Sequence, residues 1–282
     1  MSRRLLLFGH CHQIVVRHLA GQVGMCLLDM ALRVPLCGKL VVDVGGRRSE
    51  DALPGRQGRL LFGYLAIHRR RTVARDELVE ALWPDHAPPA AERDLRVVVS
   101  RSRRVLGDQV LVGRGSLKLV LPPGAWIDVE AGDAAIHTAE SAVQRNQWHE
   151  GWAPAHIALN ISRRTFLEGN EASWIDEVRR HLEDIRLRAL ECWTAVGLAI
   201  GGPWLVDAQM ASRKRTVEAP LRERGYVLLM RVLDARGETA EAIRVFEQLR
   251  QRRDDNLGIT PGPGASEAHA RILLRESEPA DD

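Results

Sequence analysis

Seventeen residues, AERDLRVVVSRSRRVLG from Ala91 to Gly107, constrain this chain's fold more than any other stretch. Wound at about 100° per residue, they place Leu95, Val98, Val99, Ser102 and Leu106 on one face. Arg93, Arg96, Val97, Ser100 and Arg104 fall on the opposite face. The apolar stripe needs a protein body to lie on, and the guanidinium face needs an anionic partner. This is the pattern of a helix that presents charge to a polyanion, with DNA the leading candidate.

The charge around this helix points the same way. Through Leu121 the chain carries 20 Lys and Arg against 11 Asp and Glu, a net +9, and from Pro122 onward 20 against 26, a net −6. A basic front half joined to an acidic back half fits a nucleic-acid module followed by a protein-contact module. Composition alone also fits a ribosome-associated or membrane-surface protein. With 282 residues in hand, two domains are expected.

Residues 1–29 show no clean period and no caps, and they are read as a disordered or mis-annotated extension, with Met30 as the expected start of translation. Their apolar run, LLLF, is too short for a signal peptide or a membrane span. Cys11, Cys26, Cys37 and Cys192 form no C-x-x-C pair, so reduced thiols in a cytoplasmic protein are expected. His10, Cys11 and His12 lack a matching second pair of ligands, and no metal or other cofactor is expected.

From Ala31 to Val44 two β-rich runs, LRVPL and KLVVDV, predict a small antiparallel sheet closed by Gly45 and Gly46. A helix is expected over Arg56 to His68, with Leu60, Leu61, Tyr64, Leu65 and Ile67 inward. Arg69, Arg70 and Arg71 end it, either as a solvated helix end or as a phosphate contact. A second helix is expected over Thr72 to Trp83, then a rigid loop from Asp85 to Ala90, then the basic helix. After Gly107 the apolar alternation of Val110 and Val112 breaks at Gly113, Arg114, Gly115 and Ser116 and resumes at Leu117, Leu119 and Leu121. That is a hairpin tipped by Arg114, with Lys118 behind it. Strands, three helices and a terminal hairpin make a winged helix-turn-helix.

The back half reads as helical: Val129 to Arg145, Gly151 to Arg163, and a long helix from Ser173, with Asp176 three residues on, to Ile200, where Gly201, Gly202 and Pro203 break it. Ala208 and Ala242 are 34 residues apart, the tetratricopeptide period, and GETAEAIRVFEQL has that repeat's residue order. About seven helices in an α-solenoid are expected. Trp83, Trp174, Trp193 and Trp204 are assigned to the core, and Trp126, Trp148 and Trp152 to packing between the domains. The fold class is mainly α with a small β component: residues 30–124 a winged helix-turn-helix, 125–275 a TPR-like solenoid, and 276–282 a disordered tail.

The segment LPGRQGRLLFGYLAIHRRRTVARDELVEALWP, with the basic helix and the hairpin, resembles the OmpR-type winged helix of the SARP family of actinobacterial antibiotic regulatory proteins. AWIDVE, FLEGNEASWIDEVRRHLEDIRLRALE and DDNLGITPGPGASEAHARIL resemble that family's junction, central helix and closing segment, so the likeness runs from about Ala31 to Leu274. Two departures stand out. Ser102 sits inward where the family usually has Leu, an expected loss of roughly 1–2 kcal/mol of burial. Ala74 sits where a capping Ser is frequent, with Thr72 as the substitute.

No G-x-x-x-x-G-K-[ST], H-E-x-x-H or G-x-S-x-G occurs, and no catalytic constellation is expected. The expected function is a DNA-binding transcriptional regulator acting as an activator. Arg93, Arg96, Val97, Ser100 and Arg104 would face the major groove, Arg101 and Arg103 the phosphates, Arg114 the minor groove or backbone, and Lys118 the backbone. The resemblance implies binding to promoter repeats of double-stranded DNA, including as a homodimer there. It also implies contact with RNA polymerase holoenzyme, to which Asp85, His86 and Pro88 are assigned. No membrane partner is expected. The alternative is a helical-repeat signalling adaptor whose winged helix contacts protein or RNA.

Overall fold

A computed structural model describes residues 32–40, 42–44, 47–49 and 53–277. The expectations for residues 1–29, for Met30 as the start, for Cys11 and Cys26 and for residues 278–282 lie outside the described residues. Among the described residues ten helices and seven short strands follow one another, so the fold is mainly α with a small β component.

The front of the chain is built from short pieces that make sense only together. β1 (Arg33–Val34) pairs in parallel with β7 (Trp126–Ile127), while β2 (Val42–Val44) pairs antiparallel with β3 (Arg47–Ser49). The single sheet expected over Ala31 to Val44 is therefore two separate ones. The physical reason lies at Asp128, whose carboxylate accepts the Leu36 and Cys37 amides at 2.8 and 2.7 Å and draws the first run toward residue 127. That carboxylate also accepts the Val129 amide at 2.9 Å, and burial pushes its pKa up while the three amides pull the other way.

α1 (Gly55–Ile67) buries Leu60, Leu61, Phe62, Tyr64 and Leu65. α2 (Arg75–Leu82) starts three residues later than its sequence suggests, because Val73–Ala74 forms β4 and pairs with β6 (Ser116–Leu119). The extended backbone ahead of α2 is used by the sheet, and Thr72 does not cap it; Ala74 occupies the cap position without a side-chain bond. α3 (Ala91–Leu106) ends at Gly107, whose φ of 95° suits glycine. β5 (Leu111–Val112) and β6 then form the hairpin.

The back half comprises seven described helices: α4 (Asp128–Gln144), α5 (Trp148–Ser162), α6 (Ser173–Ile200), α7 (Trp204–Glu218), α8 (Glu223–Ala235), α9 (Thr239–Leu257) and α10 (Pro263–Ser277). α4, α6, α8 and α10 pack side by side as one layer, with α5, α7 and α9 behind, as in a helical-repeat solenoid. Ala208 on α7 and Ala242 on α9, 34 residues apart, are both fully buried. Ser173 does not cap α6; Ala172 holds that position, again without a side-chain bond.

Core packing does not stop where the winged helix ends. One apolar cluster runs from Val34 through α1, α2, α3 and the hairpin into α4, α5 and α6 as far as Cys192, and a second gathers Tyr226 to Ile272. The seam is stitched at several points. Leu167 donates its amide to Leu36 O, Arg56 donates to Glu171 O, and the indole of Trp174 donates to Ala81 O at 3.0 Å. Trp174 also meets Tyr64 edge-on at 5.1 Å, so it is this tryptophan that packs at the seam. Trp152, expected there, lies instead among Trp193, Trp204 and His156 inside the solenoid. Trp126 is 37 % exposed, with the Arg33 guanidinium 5.8 Å from its ring centroid.

Candidate nucleic-acid interface

α3 lies on the protein body as its sequence dictates: Leu95, Val99, Ser102 and Leu106 are buried and Val98 packs partly against the same core. Arg93, Arg96, Val97, Ser100, Arg101 and Arg104 are exposed on the other side. The side chains of Arg93, Arg96, Arg101 and Arg104 make no hydrogen bond or ion pair with any described residue. An open row of uncompensated guanidinium groups on one helix is what a phosphate or base edge would need.

Beside that row, α3 and the hairpin frame a groove of about 780 Å³, walled by Arg75, Arg96, Ser100, Arg103, Arg104 and Arg114, with Asp108 as its carboxylate. Arg114 is exposed at the hairpin tip and its side chain too is unpaired among the described residues. The tip turns at Gly113, with φ of 100°, where an added Cβ would collide with the Ser116 carbonyl. A glycine there is a geometric requirement of the turn.

Arg103 and Lys118 are placed less openly than the rest of the row. Arg103, read from sequence as a phosphate contact, folds back on the hairpin: Nε donates to Leu111 O at 2.9 Å and Nη2 to Gly113 O. Two of its guanidinium nitrogens hold the hairpin, while its charge stays at the groove wall and no described residue accepts from Nη1. Lys118 is half-buried on β6 and faces a second, smaller cleft of about 300 Å³ beside Arg69 and Arg70. Arg75 is the residue that sequence reasoning missed. It starts α2, donating from Nε to Glu92 Oε2 at 3.1 Å and from Nη1 to Arg114 O at 3.3 Å. The sequence signal was weak, since an arginine at a helix N-terminus runs against the dipole and reads as incidental.

The Arg69–Arg71 triplet resolves residue by residue. Arg69 is held by both oxygens of Glu130 on α4, at 2.7 and 2.5 Å, which holds that carboxyl below its ordinary range. Arg71 is held by Glu77. That ion pair is the first cause that lowers Glu77 to about 2, aided by the Tyr64 hydroxyl donating at 2.7 Å. Burial, with the Glu77 bond, pushes the Tyr64 phenol up to about 12. Arg70 alone of the three is exposed and unpaired among the described residues.

Asp85 and His86 are exposed and Pro88 half-buried in the loop between α2 and α3, while Pro88 O accepts the Ala91 amide and so anchors the start of α3. Among the described residues no three His, Cys, Asp or Glu side chains gather as a metal site. Of the described helices, none is long and apolar enough to cross a membrane.

Comparison with known proteins adds to this geometry. A model of the bacterial transcriptional activator domain matches residues 127–273, and one of the C-terminal domain of transcriptional regulatory proteins matches residues 52–114. The regulatory protein AfsR of Streptomyces griseus is 28% identical over 257 residues, 89% of this chain and 26% of its own length. AfsR of Streptomyces coelicolor is 31% identical over 226 residues, 79% of this chain and 22% of its own. This chain thus spans about a quarter of the AfsR proteins. The transcriptional regulator RedD of Streptomyces coelicolor is 29% identical over 265 residues, 87% of this chain and 71% of its own. Mycobacterium tuberculosis EmbR, solved in complex with a low-affinity phosphopeptide, superposes with a TM-score of 0.74 at 21% identity over 87% of this chain and 65% of EmbR, a likeness of fold.

Proposed function

The chain belongs to the bacterial transcriptional activator domain family, in the SARP arrangement of a regulatory winged helix followed by that domain, and from this premise we propose that it is a sequence-specific DNA-binding regulator that activates transcription. The observation that carries the reading is the exposed row of Arg93, Arg96, Arg101 and Arg104 on α3, next to Arg114 of the hairpin, all without a side-chain partner among the described residues. α3 has 16 residues, about 24 Å of helix at 1.5 Å per residue, and the B-DNA major groove, about 12 Å wide, admits an α-helix. In that docking Arg93, Arg96, Ser100 and Arg104 face base edges, with Val97 against a thymine methyl. Arg101 takes a phosphate, and Arg114 reaches the adjacent minor groove or backbone. Arg70 and Lys118 lie on the same hairpin's other cleft and supply further backbone charge. Arg103 adds its charge at the groove wall for a phosphate while Nε and Nη2 hold the hairpin.

The Asp85–Ala90 loop remains the element assigned to RNA polymerase, and the solenoid the element for protein contact. A homodimer on repeated half-sites and a cytoplasmic location belong to the same reading. The test is electrophoretic retention of a duplex selected by the wild-type chain from a randomised pool, in a series of salt concentrations. A binder with several phosphate contacts weakens linearly in log K against log salt. Replacing Arg96 and Arg104 together by Ala is expected to abolish preference for the selected duplex while leaving the helical circular-dichroism signal unchanged. Undiminished preference, or binding indifferent to salt, would transfer support to the adaptor reading.

A further inference from the structure

The hairpin that carries Arg114 is short, and its tip lies beyond the strand pairing. Its strands share two residue pairs, Leu111 with Leu119 and Val112 with Lys118, β4 adds a third strand along β6, and residues 113–115 lie outside the ladder. Two arginines supply what the ladder lacks. At the last turn of α3, Arg103 donates to the carbonyls of Leu111 and Gly113. Near the other end of α3, Arg75 divides one planar guanidinium between the Glu92 carboxylate and the Arg114 carbonyl. The hairpin backbone is thus tied at residues 111, 113 and 114 to both ends of α3, by charge-assisted bonds whose fork geometry a lysine cannot copy.

Arg75 is not itself arranged as a DNA contact. Its side chain is one-fifth exposed, two of its nitrogens are engaged, and the third, Nη2, is enclosed by protein and donates to nothing among the described residues. β4, the strand just before it, pairs with β6, so the start of α2 and the hairpin are already in register when the guanidinium closes the gap.

We propose that Arg75, with Arg103, is a positioning residue that sets how far the hairpin's Arg114 stands from the reading face of α3, so that both address a single stretch of duplex. This rests on the DNA-binding reading above. Its consequence is that the contribution of Arg114 to binding depends on Arg75, although Arg75 touches no DNA.

The experiment uses the full chain and a duplex selected by the wild-type protein from a randomised pool, with affinity and hydroxyl-radical footprints measured for R114A, R75Q, the double variant, and R96A/R104A. R114A is expected to weaken binding about five- to tenfold, R75Q to do nearly the same, and the double variant to be no weaker than R114A alone. In R75Q, protection should vanish at the hairpin end of the footprint and persist over the α3 centre. R75K, which keeps the charge without the fork, should lose the same flank, and it serves as the test should R75Q fold poorly. A footprint intact in R75K and R75Q, affinity within about twofold of wild type, or effects of R75Q and R114A that multiply would overturn the proposal. If R96A/R104A binds as well as wild type, the DNA-binding reading itself has failed, an outcome distinct from loss of the brace.

Discussion

Ser102 is the weak point of the helix on which the proposed recognition surface sits, and relieving it should stabilise the protein. Its side chain is 1 % exposed among Leu61, Phe62, Leu65, Leu106, Leu111 and Leu119, and Oγ has no hydrogen-bond partner among the described residues. The gap there admits no water-sized sphere, so no solvent can satisfy the hydroxyl. A buried unsatisfied hydroxyl costs about 1–3 kcal/mol, and alanine is the better helix former by up to about 0.5 kcal/mol. Against this, deleting one oxygen widens the gap by on the order of 10 Å³, about 0.2 kcal/mol at roughly 24 cal/mol per Å³. Ser102→Ala is therefore expected to raise stability by about 1–3 kcal/mol. At about 2–4 °C per kcal/mol for a chain of this size class, the midpoint should rise by several degrees. Urea unfolding followed by circular dichroism and calorimetry is the assay, with an unchanged m-value marking a true stability change. Ser102→Leu adds about 2 kcal/mol of burial but must move its leucine neighbours, at a cost of about 1–3 kcal/mol, so it should end near the alanine variant. An S102A protein less stable than wild type would mean that the hydroxyl has a partner, the carbonyl one turn back at Val98 being the obvious one, and the reasoning would be refuted.

Asp128→Ala strands the amides of Leu36 and Cys37, so a loss of about 3–5 kcal/mol is expected in the same urea assay; a loss below about 1 kcal/mol would show that the seam does not depend on this carboxylate. The pH profiles of two acids should run in opposite directions. Glu77, lowered to about 2 chiefly by Arg71, contributes stability that is present above its ordinary value of 4.5 and lost as pH falls toward 2, and E77Q should flatten that acid limb. Asp128, raised above 3.8 by burial, contributes most below 3.8 and less as pH rises through its folded value, so D128N should remove a decline with the opposite slope. Gly63→Ala would place a Cβ 2.6 Å from Leu167 Cδ1 at the seam, which predicts a loss of about 1–3 kcal/mol by calorimetry from overpacking.

What could be read from the sequence, and what could not, divides along a physical line. The 3.6-residue period of α3 is a local property, so its inward set and its exposed arginines follow from the chain alone, and Ser102 stands out as an anomaly within that set. The 34-residue spacing of Ala208 and Ala242 is likewise written in the chain, because each repeat must bury the same small residue at the same contact. Positions that depend on long-range partners are another matter. The parallel pairing of β1 with β7 is fixed by a carboxylate some ninety residues away, and no local pattern in LRVPL encodes it. The limit is sharpest at Arg101 and Arg103, near neighbours on one helix that the sequence places alike on the phosphates, beside Arg104 on the base-facing side. Arg103 sits about 100° around the axis from Arg104, which turns it toward the hairpin carbonyls and away from the open face. A guanidinium offered backbone carbonyls at bonding distance will take them, since a half-buried charge without acceptors is costly. One basic residue of α3 is therefore committed in part to the hairpin. On the proposal above, Arg103 and Arg75 serve the recognition surface through the shape they give the hairpin.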